Sequence, residues 1–194
     1  LIIACNGYLG TLAPDMARYT MPINNFIAAT TPLPDDVWHS LIPNRYAVAD
    51  SKFVINYFRL SQDNRLLFGG GETYSYRFPS DVAAFVRKPL SNIFPELSDV
   101  QLDYAWGGTL AITTNRLPQF RQLGPSTIAL GGFSGHGISI GTLAGELAVD
   151  KLTGGSADFD VMASVAGRAF PGGTKIRGPL LVLGMLAARL RDAF

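Results

Sequence analysis

The sequence predicts a mixed α/β fold with a mainly antiparallel sheet, and three stretches of the chain carry that prediction. The apolar run 1–5 is typical of a buried parallel strand. β-branched and aromatic residues fill 47–60, and the polar residues 61–64 predict a hairpin turn into a second strand at 65–69. Residues 127–155 combine a short apolar strand, a glycine-rich turn and an amphipathic helix.

Prolines and acidic residues divide the first half of the chain into extended segments. Pro22 opens an extended segment that reaches residue 30. The run 31–36, rich in proline and aspartate, predicts a turn. The strand that follows is predicted over the whole of 47–60, with 53–58 at its centre.

A helix and two further β segments are predicted in the middle of the chain. Asp81 is suited to be an N-cap, and apolar residues follow it at helical spacing as far as residue 93. Because Pro89 lies inside this pattern, we expect either a kink or two short helices. A strand over 100–106 should end at the glycine pair that follows it, and 109–123 has the pattern of a hairpin.

The glycine-rich segment predicts a strand, a turn and a helix in direct succession. Residues 128–130 form the strand, 131–137 the turn, and the helix ends at the glycine pair 154–155. The apolar positions that repeat at helical spacing are Ile140, Leu143, Ala144, Leu147, Ala148 and Leu152. This arrangement aims free backbone N–H groups and the positive end of a helix dipole at an anionic or electron-rich ligand. A last amphipathic helix is predicted over 177–194, beginning near Pro179.

Composition places the chain among globular proteins and argues against several classes of function. Hydrophobic residues make up 47% of the 194 residues and charged residues 16%. The 16 Lys and Arg residues nearly balance 15 Asp and Glu residues, so the basic surface of a nucleic-acid-binding protein is not expected. Cys5 is the single cysteine, which excludes an intramolecular disulfide and suits the cytoplasm. With only His39 and His136 beside it, no zinc site is expected, and no apolar run is long enough to span a membrane.

The first residues predict that this chain is the C-terminal part of a longer one. A buried parallel strand needs neighbours on both sides. An apolar strand at residues 1–5 would lack them unless further sequence preceded it. We therefore expect missing sequence on the N-terminal side.

The glycine turn 131–137 is open to several interpretations. No acidic residue follows about twenty positions later, as the dinucleotide-binding fingerprint GxGxxG requires, and tight packing alone would explain the glycines. Ser134 lies in an elbow that resembles the GxSxG of α/β hydrolases, but His136 replaces the last glycine and no later histidine completes a triad. His136 is a candidate for contact with a cofactor ring or phosphate, the alternative being a bond to nearby backbone.

Aromatic and cationic residues on the predicted sheet are candidates for substrate binding. Tyr57 and Arg59 share one face of their strand, and Tyr74 and Tyr76 lie near the sheet. Such a face suits a polar organic substrate, although simple solvent exposure would explain each residue equally well. Trp106 precedes two glycines that allow a ligand to approach closely, with core packing as the alternative.

Residues 133–138 with Gly141 resemble the C-terminal flavin motif of the D-amino acid oxidase superfamily, which includes glycine and sarcosine oxidases. Residues 4–8 are similar to that family's strand and turn beside FAD, and residues 65–70 and 106–118 match later segments in the same order. Within the superfamily, residues 94–97 and 177–192 look most like the gamma-glutamylputrescine oxidase group.

The resemblance implies the C-terminal part of a two-domain FAD-binding fold. Residues 1–20 and 106–194 would belong to the FAD-binding domain, and 21–105 to a substrate domain. The positions that match flavin contacts are Gly7, Tyr8, Trp106, Gly108, Gly132, Ser134, Gly135, His136, Gly137 and Ile138. Tyr57, Arg59 and Phe133 are assigned to the substrate.

The implied reaction is oxidation of a C–N bond of an amine. Hydride passes to the flavin, the imine hydrolyses, and molecular oxygen reoxidises the flavin to give hydrogen peroxide. No catalytic side chain is assigned. An acceptor other than oxygen, or a non-catalytic binding module, is the alternative.

Departures from the family pattern bear on the cofactor and the substrate. The family's N-terminal GxGxxG is absent, so the chain alone is expected not to bind FAD tightly and to be inactive without an N-terminal nucleotide-binding segment. Residues 21–25 lack the arginine that many relatives carry there, and Asn115 replaces an aspartate. These differences favour an amine over a free α-amino acid.

Overall fold

The computed structural model describes residues 1–52, 54–73, 77–155, 157–165 and 167–192 and contains two sheets with helices around them. The strands are β1 (Ile2–Ile3), β2 (Met21–Pro32), β3 (Val48–Ala49), β4 (Tyr57–Leu60), β5 (Arg65–Glu72), β6 (Leu102–Ile112), β7 (Gln119–Gly124) and β8 (Thr127–Gly131). The α-helices are α1 (Pro14–Ala17), α2 (Asp35–Leu41), α3 (Val82–Ile93), α4 (Gly137–Leu152), α5 (Ala157–Ser164) and α6 (Arg177–Asp192). Single 3-10 turns lie at Asn6–Tyr8 and Pro95–Leu97.

The chain forms two compact units. Unit 1 consists of Leu1–Ile23 and Thr109–Val182, and unit 2 of Asn24–Gly108 and Leu183–Phe194. Strands β2 and β6 therefore pass from one unit to the other, as does helix α6.

Unit 1 is built on a three-stranded sheet in the order β1-β8-β7. β1 pairs with β8 in parallel, as the apolar start of the sequence predicts, and β7 and β8 form an antiparallel hairpin. Successive β8 residues face opposite sides of the sheet, because side chains alternate along a strand. Ile128 and Leu130 pack with α4 and α5, whereas Ala129 packs with the α1 segment.

Among the described residues, unit 2 is built on a five-stranded sheet in the order β3-β4-β5-β2-β6. β3 with β4, β4 with β5 and β5 with β2 pair in antiparallel fashion. Helix α3 covers one face of this sheet. Its Val86 and Leu90 are fully buried in a cluster with Phe26, Leu66 and Phe68 from β2 and β5. The predicted cap is confirmed, since the Asp81 carboxylate accepts a hydrogen bond from the Ala84 N–H at 2.8 Å. Helix α3 continues through Pro89 as one helix, so the prediction of two short helices is wrong.

Two predictions in the first half of unit 2 are wrong for local reasons. The predicted turn 31–36 is divided between the end of β2 and the start of helix α2. Asp35 and Asp36 lie in the first turn of α2, where the helix dipole stabilises their negative charge. The predicted strand 47–60 is interrupted, and β3 and β4 are its only strands among the described residues; Phe53 lies outside them. The Asp50 carboxylate accepts bonds from the backbone N–H groups of Lys52 and Asn56, and such local bonds compete with strand pairing.

The glycine pair after residue 106 does not end a strand. β6 runs on to Ile112, and an ideal Cβ at Gly107 would lie 2.6 Å from the Phe26 ring and 2.9 Å from the Phe78 ring. Glycine is therefore needed there for close packing. β6 and β7 lie in different sheets, so the predicted hairpin over 109–123 is wrong as well.

Candidate functional site

The candidate site in unit 1 is centred on the glycine turn between β8 and α4. Gly132, Ser134 and Gly135 have φ angles of +68°, +53° and +94°. Left-handed backbone of this kind is easy for glycine and uncommon for other residues. An ideal Cβ at Gly132 would also lie 2.6 Å from Thr113 Cγ2, so any larger side chain would clash with Thr113, the residue directly after β6.

Ser134 holds the turn against the chain that follows β6. Its side chain is buried, and its Oγ accepts a hydrogen bond from the Thr113 N–H at 3.1 Å. Its backbone N–H donates to the Ala111 carbonyl at 3.0 Å. No His136–Ser134 hydrogen bond occurs in the described part of the chain, and His136 is exposed to solvent. The Ser134 hydroxyl therefore supports the turn. The α/β-hydrolase interpretation is not supported, because His136 does not contact the serine as a catalytic base would.

The 3-10 turn after β1 contacts the glycine turn directly. Asn6 Oδ1 accepts a hydrogen bond from the Gly132 N–H at 3.1 Å, and the Tyr8 hydroxyl accepts one from the Thr109 N–H at 3.0 Å. Gly7 lies so close to the strand that an ideal Cβ would be 2.1 Å from the Thr109 carbonyl oxygen. The sequence-based prediction did not include Asn6 among the site residues. Its φ of +45° is a backbone angle that asparagine adopts more readily than most residues, so an asparagine in a turn was the available signal.

The amino end of α4 presents free backbone donors. The first helical hydrogen bond across this end runs from the Ile140 N–H to the His136 carbonyl at 3.2 Å. Within the described ranges, the N–H groups of Gly137, Ile138 and Ser139 have no hydrogen-bond acceptor. Ile138 is fully exposed, and the His136 ring makes no hydrogen bond to any described residue. These donors and the helix dipole together favour an anionic or electron-rich ligand.

Most of the predicted cofactor residues are in unit 1. Those that the structure brings together around the turn are Gly7, Tyr8, Gly132, Ser134, Gly135, His136, Gly137 and Ile138. Phe133 is half-buried and packs against the cluster formed by β7, β8, α4 and α5. Trp106 and Gly108, like Tyr57 and Arg59, lie in unit 2.

The predicted substrate residues of unit 2 lie on the sheet face opposite α3. Phe58 points to the α3 side, with its ring 4.9 Å from that of Phe94, so the neighbouring Tyr57 and Arg59 point away from it. The Tyr57 ring covers the position where a Cβ of Gly69 would be, and its hydroxyl donates to Asn25 Oδ1.

Trp106 and Arg59 are accessible on this open face. Gly107 faces Phe26 in the core, so Trp106 and Gly108 point to the open side. Trp106 is 47% exposed, which argues against core packing. Arg59 is exposed and has no ion pair with a described residue. Tyr74 and Tyr76 lie outside the described residues.

In the described ranges, no group of three or more His, Cys, Asp or Glu residues could hold a metal ion. None of the helices described is long and apolar enough to cross a membrane.

Known proteins similar to this chain share one type of activity. A family model described as FAD dependent oxidoreductase matches residues 1–151. The chain is 42% identical to a protein of Rhizobium meliloti called probable oxidoreductase OrdL, over 100% of this chain and 45% of that relative. It is 39% identical to the gamma-glutamylputrescine oxidoreductase of Escherichia coli, over 99% of this chain and 45% of that relative. The chain thus spans less than half the length of these curated relatives.

Solved structures share the fold. The structure of L-proline dehydrogenase from P. horikoshii matches with a TM-score of 0.61 at 21% identity, over 82% of this chain and 44% of that one. Glycine oxidase from Geobacillus kaustophilus matches with a TM-score of 0.55 at 17% identity, over 74% and 38%. These similarities confirm the predicted mixed α/β fold.

Proposed function

The chain belongs to the family of FAD-dependent oxidoreductases, and on that premise we propose that it supplies the flavin-edge and substrate-facing parts of an enzyme that oxidises a C–N bond of an amine. Residues 1–20 and 106–194 are proposed as part of the FAD-binding domain and residues 21–105 as the substrate domain; the two compact units divide the chain in a similar way, except that Leu183–Phe194 belongs to unit 2. The observation that carries the proposal is the set of unpaired N–H groups at the start of α4.

The glycine turn fits a flat, electron-rich ring. An ideal Cβ at Gly137 would have only ordinary contacts, the nearest being Phe133 Cβ at 3.7 Å, and nothing lies within 4 Å of one at Gly135. Glycine at these two positions therefore leaves space outside the backbone that the protein itself does not fill. Bare backbone with free donors is what a ring carrying carbonyl oxygens and developing negative charge requires.

The protein's part in the reaction is orientation and charge stabilisation. When bound, FAD supplies the hydride-accepting chemistry. The N–H groups of Gly137, Ile138 and Ser139 would stabilise negative charge beside them, as donors do in an oxyanion hole. On the open face of unit 2, Arg59 would pair with an anionic group of the substrate.

The proposed substrate is an amine of the gamma-glutamylputrescine type. The name of the Escherichia coli relative states such a substrate for that protein, which is 39% identical to this chain. Asn25 supports the same choice, because its side chain accepts the hydrogen bond of the Tyr57 hydroxyl on the open face of unit 2. An asparagine and a tyrosine offer neutral hydrogen bonds to an amine.

Tight FAD binding is proposed to need an N-terminal nucleotide-binding segment. The test is a chimera in which the N-terminal part of the Rhizobium meliloti relative precedes this chain. We expect the chimera to purify yellow and this chain alone to bind FAD weakly. A chimera that folds, by far-UV circular dichroism, yet stays colourless with added FAD would instead support a non-catalytic binding module.

Two matched variants of the chimera test the glycine turn itself. Gly137→Val should reduce FAD affinity at least about tenfold, because the added methyl groups occupy ligand space while the protein tolerates a Cβ there. Gly145→Val, also in α4 with nothing within 4 Å of an ideal Cβ, should keep its flavin. Normal flavin content in Gly137→Val, with far-UV circular dichroism unchanged in both variants, would contradict the assigned pocket.

Oxygen is proposed as the electron acceptor, with hydrogen peroxide as the product. A dehydrogenase is the second candidate, because the fold also matches an L-proline dehydrogenase. Peroxide released per amine oxidised under air separates the two. A ratio near one supports the oxidase, and turnover that requires an added artificial acceptor supports the dehydrogenase.

A further inference from the structure

Asn6 and the glycine turn lie side by side at one edge of the unit 1 sheet. β1 and β8 are parallel neighbours, so their carboxyl ends meet at the same edge. Asn6 opens the 3-10 turn that follows β1, and β8 ends at Gly131, where the glycine turn begins. An ideal Cβ at Gly131 would lie 3.4 Å from the Asn6 Cα, so the two turns are in contact. Ligands of α/β sheets bind in the crevice outside the carboxyl ends of the strands, which places Asn6 at the border of such a crevice.

The oxygen of the Asn6 amide is engaged by the chain itself. Asn6 Oδ1 accepts a hydrogen bond from the Gly132 N–H at 3.1 Å. Because a backbone N–H can only donate, this bond identifies the oxygen of the amide and fixes the direction of Nδ2. The backbone beside Asn6 is tightly packed as well, since an ideal Cβ at Gly7 would lie 2.1 Å from the Thr109 carbonyl oxygen.

The Nδ2 group of Asn6 is an accessible donor. It makes no hydrogen bond within the described part of the chain. Asn6 is partly exposed, and the fully buried side-chain atoms that lack a partner among the described residues are Gln119 Nε2 and Arg121 Nε. Asn6 Nδ2 is not one of them, so it reaches the protein surface. Two N–H donors are thus held in a fixed direction beside the glycine turn.

We propose that Asn6 is a binding residue of the flavin site, which donates from Nδ2 to the flavin while its Oδ1 holds the glycine turn. This inference rests on the proposed function, in which the turn faces a ring that gains negative charge on reduction. A carboxamide offers an acceptor to Gly132 and a donor to the ligand, and it carries no charge. A carboxylate would keep the acceptor but would place a negative charge beside an electron-rich ring.

Asn6→Asp separates the two roles, because aspartate keeps the acceptor and loses the donor. Aspartate also tolerates the φ of +45°, so this chain carrying Asn6→Asp should keep the urea midpoint of the wild type. In the chimera with the Rhizobium meliloti segment, Asn6→Asp should weaken FAD binding at least about tenfold, since a charged acceptor replaces a donor. Binding of the reduced flavin should weaken about tenfold more than that of the oxidised flavin, which lowers the two-electron midpoint potential by about 30 mV.

Gln122→Glu is the matched control, because it makes the same change from amide to carboxylate in unit 1. Gln122 is exposed on β7 and pairs with Ile128, away from the end of β8 at Gly131. The FAD affinity and the midpoint potential of this variant should therefore be those of the wild-type chimera. Asn6→Gly provides a second variant that loses both groups of the amide, and it should lower the urea midpoint as well as the FAD affinity.

Four results would overturn the inference. These are a wild-type FAD affinity in Asn6→Asp, an unchanged midpoint potential in that variant, an equal loss in Gln122→Glu, and an unchanged urea midpoint in Asn6→Gly. With a yellow wild-type chimera, each of them contradicts the role of Asn6 and leaves the proposed function standing. A wild-type chimera that folds but stays colourless with added FAD would contradict the proposed function and, with it, the role of Asn6.

Discussion

Replacing Gly7 by alanine should destabilise unit 1 by a margin that can be worked out from the contact with β6. An ideal Cβ would lie 2.1 Å from the Thr109 carbonyl oxygen and 2.6 Å from its carbon, and both are backbone atoms that cannot turn aside. The turn would therefore have to move by about 1 Å, and overpacking of this kind costs roughly 1–3 kcal/mol. The move also strains the hydrogen bond that the Tyr8 hydroxyl accepts from Thr109, worth about 1 kcal/mol.

Urea unfolding followed by far-UV circular dichroism measures this cost. A loss of about 2–4 kcal/mol should lower the urea midpoint by about 1–2 M for typical denaturant slopes. The matched control is Gly145→Ala in α4, where nothing lies within 4 Å of an ideal Cβ. Better helix propensity should raise the stability of that variant by about 0.5–1 kcal/mol. A Gly7→Ala midpoint equal to that of wild type would refute the reasoning, because the clash would then be relieved at no cost.

Two further changes have outcomes set by hydrogen bonds that the structure shows. Ser134→Ala removes the acceptor of the buried Thr113 N–H, and should lower the free energy of unfolding by about 1–3 kcal/mol in the same urea assay; an unchanged midpoint would contradict the supporting role of the hydroxyl. A hydrogen bond from Ser61, followed by one from Arg65, lowers the pKa of Asp63 below 3.8. Because this pKa is lower in the folded state than in the unfolded state, the ionised Asp63 carboxylate stabilises the folded chain above about pH 3.8. That stabilisation is lost as the pH falls through the pKa of Asp63 in the folded state. Asp63→Asn should therefore show a shallower fall of the melting temperature below about pH 4 than wild type, and equal slopes would contradict the link.

The segment from β8 to α4 could be predicted because every signal in it is local. The apolar strand, the glycines that permit positive φ and the 3.6-residue spacing of the helix all lie within 127–155, and α4 begins at Gly137 as the turn predicts. The interrupted strand after residue 47 could not be predicted in the same way. There the bonds that Asp50 makes to Asn56 outweigh the strand propensity of the residues between them.

The contacts that hold the candidate site together were largely beyond sequence reasoning. Asn6 and Gly132 are 126 positions apart, and Thr113 and Ser134 are 21 apart. Nothing in the local pattern of Thr113 marks it as a partner of the glycine turn. The glycines could be identified because their backbone angles are a local property, whereas their supporting residues depend on how the strands are arranged in space.

Because distant residues support the glycine turn, two kinds of substitution should weaken flavin binding in different ways. Because Asn6, Thr113 and Ala111 hold the turn through bonds internal to unit 1, the free N–H groups of α4 are placed before any ligand arrives. Donors placed in advance cost no reorganisation on binding. Loosening the support in Ser134→Ala should therefore lower both stability and flavin affinity. Filling the ligand space in Gly137→Val should lower flavin affinity alone. If Ser134→Ala lost stability but kept full flavin affinity, preorganisation of the turn would not be a determinant of cofactor binding.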